Sequence, residues 1–214
     1  MTHPQLIDST AAFVRRTLEN AEGGHDWWHI HRVWHNARLI AQTEQADRLT
    51  VELAALLHDI ADSKFHNGDE EIGPQTAMNW LRSIGVDDAV VAHVGNIIRH
   101  MSFKASFNDS GFYSMEMGIV QDADRLDAIG AIGIARAFTY GGFKNREIYN
   151  PEIPPNLNMT KEEYKNSASP SLNHFYEKLL LLKDRMNTVT GKRLAEERHA
   201  FMEAYLDQFY KEVK

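Results

Sequence analysis

The chain contains at positions 51–62 the segment Val51-Glu52-Leu53-Ala54-Ala55-Leu56-Leu57-His58-Asp59-Ile60-Ala61-Asp62. The first half of this segment is apolar on every side but one, which predicts a helix buried in the core of a helical protein. A histidine and two carboxylates follow at the end of that helix. Because an uncompensated buried carboxylate is costly, Asp59 needs a partner. A divalent metal ion is the obvious candidate, since neutral imidazole and carboxylate are both good ligands for it.

Composition limits the possible classes of protein. The 214 residues are 43% hydrophobic, which suits one domain with a sizeable core. A net charge of −7 disfavours a nucleic acid polymer as partner, because broad binding to DNA or RNA needs clustered positive charge. The absence of cysteine excludes a disulfide framework and any thiolate metal site. We see no signal-peptide segment and no long uncharged apolar run, so we expect a cytoplasmic protein without a membrane partner.

Apolar periodicity and the placement of glycine and proline predict an all-α fold. The predicted helices cover residues 6–20, 27–46, 51–61, 70–84, 87–101, 115–138, 171–187 and 192–213, with 115–138 forming either one long helix or two abutting helices. Asp26 is predicted to cap the N-terminus of the second helix, and Gly85 the C-terminus of the fourth. The spacing of His174, Lys178, Lys183 and Arg185 favours a polar outer face. No repeat or domain boundary is visible.

Two further groups of residues could carry chemistry. Four histidines lie in or beside the second predicted helix, and a helix cannot aim all of them at one point: His25, His29, His31 and His35. Residues 121–127 place Asp124 and Asp127 on one helical face, within an apolar context. Acids in such a context need partners. An ion-pair network and metal ligation both provide them, and the nearby His58-Asp59 pair favours ligation.

The order of these segments resembles the HD-domain superfamily of metal-dependent phosphohydrolases. The matching segments are His29-x-x-Arg32-Val33, Leu57-His58-Asp59 and Ala123-Asp124-Arg125-Leu126. The chain is more closely similar to a group of small bacterial single-domain HD proteins, in which segments like residues 25–29, 58–65, 122–128, 136–142 and 174–179 recur. The resemblance covers most of the chain. It implies a single-domain HD-type helical bundle over residues 1–214, with an HD core at about 25–130 and C-terminal helices, 131–214, packed on it.

The resemblance also implies roles for individual residues. The family's metal ligands correspond to His29, His58, Asp59 and Asp124, holding one divalent ion such as Mn, Mg, Ni, Co or Zn. Asp62, three residues beyond Asp59, corresponds to an acid that assists the attacking water as general base. Three side chains are expected to contact the substrate: Lys64, His100 and Arg125. The alternatives are a solvated side chain for Lys64 and packing beside Asp124 for Arg125.

The implied activity is hydrolysis of a small phosphate ester, most favourably a nucleotide. Some members of the group are similar to nucleoside triphosphate pyrophosphohydrolases, which release a nucleoside monophosphate and pyrophosphate. A metal with open positions suits this reaction, because it activates water for attack on phosphorus. Alternatives at the same metal are a 5′-nucleotidase and a cyclic-nucleotide phosphodiesterase. A di-iron HD oxygenase would need a second metal and a further histidine pair. A non-catalytic nucleotide-sensing HD module would not need the open metal position that the ligand set implies.

Overall fold

A computed structural model of the chain describes residues 1–19, 24–61, 69–101, 111–159 and 168–213. These residues form helices and no strands, which confirms the all-α prediction. We number the α-helices in chain order: α1 His3–Thr17, α2 Trp27–Ile40, α3 Arg48–Leu57, α4 Ile72–Ser83, α5 Asp88–His100, α6 Met115–Asp127, α7 Gly130–Phe143, α8 Asn173–Glu177 and α9 Val189–Glu212. A 3-10 helix, Leu179–Arg185, lies between α8 and α9. The chain divides into two compact units, Met1–Asp124 and Arg125–Lys214.

Helix α3 forms the centre of the first unit. The apolar side chains of residues 51–57, including Leu53, Leu56 and Leu57, are fully buried, and the helix packs against α1, α2 and α5. Burial of each leucine contributes about 1.5–3 kcal/mol. The single polar side predicted from the sequence belongs to Glu52, which accepts a hydrogen bond of 2.8 Å from the Trp34 indole nitrogen. The segment that predicted a buried helix therefore forms one.

The ends of the helices follow local capping. Asp26 accepts a hydrogen bond of 2.9 Å from the His29 backbone and caps α2, as predicted. Gly85 has a φ of +77°, and the amide of Val86 donates to the carbonyl of Leu81 at 3.1 Å, so the predicted C-cap is confirmed. Helix α3 begins before the predicted residue 51, because Asp47 accepts a hydrogen bond of 2.7 Å from the Thr50 backbone.

Among the helices predicted after residue 114, one predicted alternative is confirmed and one prediction is wrong. Residues 115–138 form two abutting helices, and Gly130, at the first position of α7, has a φ of +73° that favours glycine. The helix predicted over 171–187 is interrupted, because Lys178 has a φ of −146° that ends α8. Phe175 of α8 is fully buried, with ring centroids 5.7 Å from Phe138 and 6.0 Å from Tyr205. None of the described helices combines the length and apolarity needed to cross a membrane.

Candidate metal centre

Three side chains from α2 and the end of α3 converge in the first unit. One ligand atom from each of His29, His58 and Asp59 lies within 4.8 Å of the other two. Asp59 Oδ2 is 3.7 Å from His29 Nε2 and 3.6 Å from His58 Nε2. Because α3 ends at Leu57, His58 occupies the C-cap position and Asp59 follows in the next turn. The helix end thus turns both side chains toward the first turn of α2.

His58 has a fixed tautomer. Its Nδ1 lies 2.9 Å from the carbonyl oxygen of Ala55, which can only accept, so Nδ1 carries the proton and donates. In the neutral imidazole, Nε2 then keeps its lone pair. This atom is buried and has no hydrogen-bond partner among the described residues. A buried unsatisfied nitrogen costs about 1–3 kcal/mol, whereas imidazole held by its other nitrogen is the usual form of a histidine metal ligand. The site therefore fits a metal ion.

Asp124 supplies a fourth candidate ligand. Its Oδ1 lies 3.6 Å from His29 Nε2, and its side chain is 45% exposed. Helix α6 is linked to α2 at this level, because the Asn36 amide donates to the carbonyl of Ala123 at 3.4 Å. Two imidazole nitrogens and two carboxylates form a mixed set that suits a divalent ion and leaves open positions.

The electrostatics of Asp59 favour its charged form. Burial alone would raise its pKa, but the neighbouring His58 imidazole and the hydrogen bond from His25 outweigh that effect and hold the pKa well below its usual range. The interaction with His25 is short, with Nδ1 2.7 Å from Asp59 Oδ2. Asp59 therefore remains ionised, which is the state that a metal ligand requires.

The structure describes two of the four remaining predicted site residues. Asp62 and Lys64 lie outside the described residues. His100 is the last residue of α5, and its ring centroid lies 5.3 Å from that of Phe112. Arg125 donates to the backbone carbonyl of Arg185 at 2.6 Å, in the 3-10 helix of the second unit.

Two residues near the predicted ligands have structural contacts. Asp127 is buried and pairs with Arg136. The ion-pair interpretation of the 121–127 segment therefore accounts for Asp127. His93 lies 3.0 Å from the Ser114 hydroxyl and 3.7 Å from Glu116, at the N-terminus of α6.

The contact of His25 is not predicted by the sequence. The predicted helix cap explains Asp26 of the His25-Asp26 pair, and it predicts no role for His25. His25 precedes Asp26, the N-cap of α2, so its four-residue spacing from His29 is not a helical spacing and gives no signal. Their ring centroids lie 5.9 Å apart. The contact with Asp59, 34 residues away, depends on how α2 and α3 pack.

The geometry agrees with what the chain resembles among known proteins. Residues 27–129 match the family model for the HD domain. The uncharacterized protein YpgQ of Bacillus subtilis is 39% identical over 218 residues, covering 100% of this chain and 96% of YpgQ. The crystal structure of an HD-superfamily hydrolase from Bacillus thuringiensis is 45% identical, with a TM-score of 0.79 over 99% of this chain and 98% of the other. Bacillus subtilis YpgQ in complex with ADP is 37% identical, with a TM-score of 0.76 over 99% and 97% of the two chains.

Proposed function

The chain belongs to the HD domain family, and from this premise we propose that it is a metal-dependent phosphohydrolase acting on a nucleotide. The observation that carries the proposal is the buried Nε2 of His58, whose lone pair is available because Nδ1 donates to Ala55. A purely structural histidine at this position would be expected to use both nitrogens. The ADP complex of YpgQ supports a nucleotide as the substrate class.

Four residues hold the metal in this proposal: His29, His58, Asp59 and Asp124. Mn, Mg, Ni, Co and Zn all accept such nitrogen and oxygen ligands. A bound divalent ion supplies acidified water and stabilises negative charge on phosphoryl oxygens. Asp62 takes a proton from the attacking water, and Lys64, His100 and Arg125 contact the substrate. The role of Asp62 rests on the family resemblance, and the substrate contacts of Lys64, His100 and Arg125 are inferred from their side-chain chemistry and their positions in the sequence.

The proposed reaction is hydrolysis of a nucleoside triphosphate to a monophosphate and pyrophosphate. Water attacks the α-phosphorus, its oxygen forms the new P–O bond, and the bond from that phosphorus to the bridging oxygen breaks. The bridging oxygen leaves with pyrophosphate, and the protons of the water pass to Asp62 and solvent.

The products of a nucleotide panel test this proposal. Metal-stripped protein is incubated with added Mn²⁺ and nucleoside mono-, di- and triphosphates or cyclic nucleotides, and the products are separated by chromatography. Monophosphate plus pyrophosphate from triphosphates is the expected result. Orthophosphate from monophosphates would indicate a 5′-nucleotidase, and a linear monophosphate a cyclic-nucleotide phosphodiesterase. Metal binding without turnover of any member would overturn the nucleotide hydrolase proposal.

Replacement of one ligand tests the metal site directly. Asp59→Ala is expected to lower Mn²⁺ affinity and turnover by more than about 100-fold, since loss of an outer partner of a ligand alone costs about 10–100-fold. Isothermal titration measures the affinity, and circular dichroism should show the helical content unchanged. Asp88→Ala is the matched control, because the Asp88 side chain is 89% exposed on α5. Metal-dependent turnover retained in Asp59→Ala would contradict the assignment.

A further inference from the structure

His25 makes a contact that singles out one atom of the candidate metal centre. Its Nδ1 lies 2.7 Å from Asp59 Oδ2. That same oxygen is 3.7 Å from His29 Nε2 and 3.6 Å from His58 Nε2. The Asp59 oxygen that lies near His29 and His58 is therefore the same oxygen that accepts the hydrogen bond from His25.

The direction of this hydrogen bond follows from the chemistry of the two groups. An ionised carboxylate can only accept, so the proton lies on His25 Nδ1. A nitrogen that carries a proton has no lone pair for a metal. A carboxylate oxygen can accept a hydrogen bond and bind a metal ion at the same time, because it has more than one lone pair. The contact is thus compatible with a metal on Asp59 Oδ2.

The backbone around His25 is fixed by the start of α2. Asp26 caps the helix by accepting a hydrogen bond of 2.9 Å from the His29 amide. Gly24, on the other side of His25, has a φ of +126°, a conformation that side chains larger than hydrogen rarely adopt. One turn of chain therefore fixes both the ligand His29 and the donor His25.

We propose that His25 is a positioning residue, whose Nδ1–H holds the Asp59 carboxylate in the orientation that completes the metal centre with His29 and His58. The Asp59 side chain is 30% exposed and could otherwise rotate toward solvent. A donor on Oδ2 restricts that rotation before the metal arrives, so less conformational freedom is lost on binding. This inference rests on the proposed metal-dependent function.

Mn²⁺ affinity of three variants tests the inference. His25→Ala removes the donor and is expected to weaken Mn²⁺ binding by about 10–100-fold. His25→Asn places an amide N–H near the position of Nδ1 and should recover most of the affinity. His35→Ala is the matched control, because His35 is an exposed histidine of α2. Isothermal titration gives the affinities, and circular dichroism with thermal melting verifies that each variant is folded.

Pulsed electron paramagnetic resonance of bound Mn²⁺ separates positioning from ligation. Two histidine nitrogens, from His29 and His58, should couple to the ion in both the wild type and His25→Ala. A third coupled nitrogen that disappears in His25→Ala would make His25 a ligand and overturn the inference.

The two proposals fail in different ways. Mn²⁺ affinity unchanged in His25→Ala but lost in Asp59→Ala would overturn the role of His25 and leave the metal site intact. A wild-type protein that binds no divalent ion would overturn the proposed function itself. Recovery in His25→Asn is the result that a merely structural role for the imidazole ring does not predict.

Discussion

At the scale of single residues, Asp124 and Asp127 of the 121–127 segment make different contacts. Asp124 faces His29 at 3.6 Å, whereas Asp127, three residues later, pairs with Arg136. The Asp127 side chain is 2% exposed, and its carboxylate also attracts the guanidinium of Arg198. One helical segment therefore provides both a candidate ligand and a buried ion pair.

Removal of Asp127 should affect stability and not metal binding. Asp127→Ala leaves Arg136 without its acid in a partly buried setting and is expected to lower the free energy of unfolding by about 3 kcal/mol. Chemical denaturation followed by circular dichroism measures this loss. Glu197→Ala is the control, because its pair with Arg193 is exposed and should contribute at most about 0.5 kcal/mol. Equal losses in the two variants would contradict the assignment.

His174 provides a prediction about pH. It was expected on a polar outer face, but burial and the positive charges of Lys178 and Arg146 lower its pKa from 6.5 to about 4. Between these values the unfolded chain binds a proton that the folded protein does not. The free energy of unfolding should therefore fall as the pH drops from 6.5 toward 4, by up to about 1.4 kcal/mol per pH unit. Above pH 6.5 this group contributes no dependence.

Comparison with a variant isolates the contribution of His174. His174→Asn stays uncharged in both states, so its unfolding free energy should vary less steeply over the same pH interval. Denaturation curves at several pH values measure both slopes, and other titrating groups contribute equally to the two proteins. Identical slopes would show that the histidine is protonated in the folded protein.

At the scale of helices, the close approach of α7 to the preceding turn depends on glycine. A Cβ at Gly133 would overlap with the backbone carbonyl of Ala128, which cannot move without shifting the turn. Gly133→Ala is expected to lower the free energy of unfolding by about 1–3 kcal/mol. Gly142→Ala, in the same helix, is the matched control. No heavy atom lies within 4 Å of its added Cβ, so it should be neutral or stabilising by up to about 1 kcal/mol. Thermal melting by circular dichroism compares them.

Helical periodicity and caps were sufficient to predict most of these elements. The apolar side of α3 and the caps at Asp26 and Gly85 are local features, so the sequence contains them directly. The interruption at Lys178 is different, because no glycine or proline marks it. The helix ends at Lys178, three residues after the buried Phe175, which contacts Phe138 and Tyr205. No local sequence pattern indicates this end.

The candidate site shows the same division between local and long-range information. Selection of His29 among four histidines depended on the family resemblance, since helical spacing alone did not distinguish it. The structure brings His29, His58 and Asp59 together through the packing of α2 on α3. The contact of His25 with Asp59 could not be predicted, because it joins residues 34 apart and needs the relative position of those helices.

At the scale of the whole molecule, charge and tryptophan content determine how metal binding can be measured. The net charge of −7 attracts cations in general, so a stabilising effect of Mn²⁺ alone does not prove a specific site. All four tryptophans, Trp27, Trp28, Trp34 and Trp80, lie in the Met1–Asp124 unit. The four candidate ligands lie in the same unit. Tryptophan fluorescence therefore reports the unfolding of the unit that holds the candidate site.

Mn²⁺ should stabilise this unit specifically. An ion that binds only the folded state raises the free energy of unfolding by about 2.7 kcal/mol at a concentration 100 times its dissociation constant. Urea denaturation followed by tryptophan fluorescence, with and without Mn²⁺, measures this gain. Asp59→Ala should abolish the gain, because the oxygen that lies within 3.7 Å of both histidines is lost. Asp207→Ala removes an exposed carboxylate and changes the net charge equally, so it should keep the gain. A gain of the same size in Asp59→Ala would place the stabilising ion elsewhere or show general screening of the negative charge.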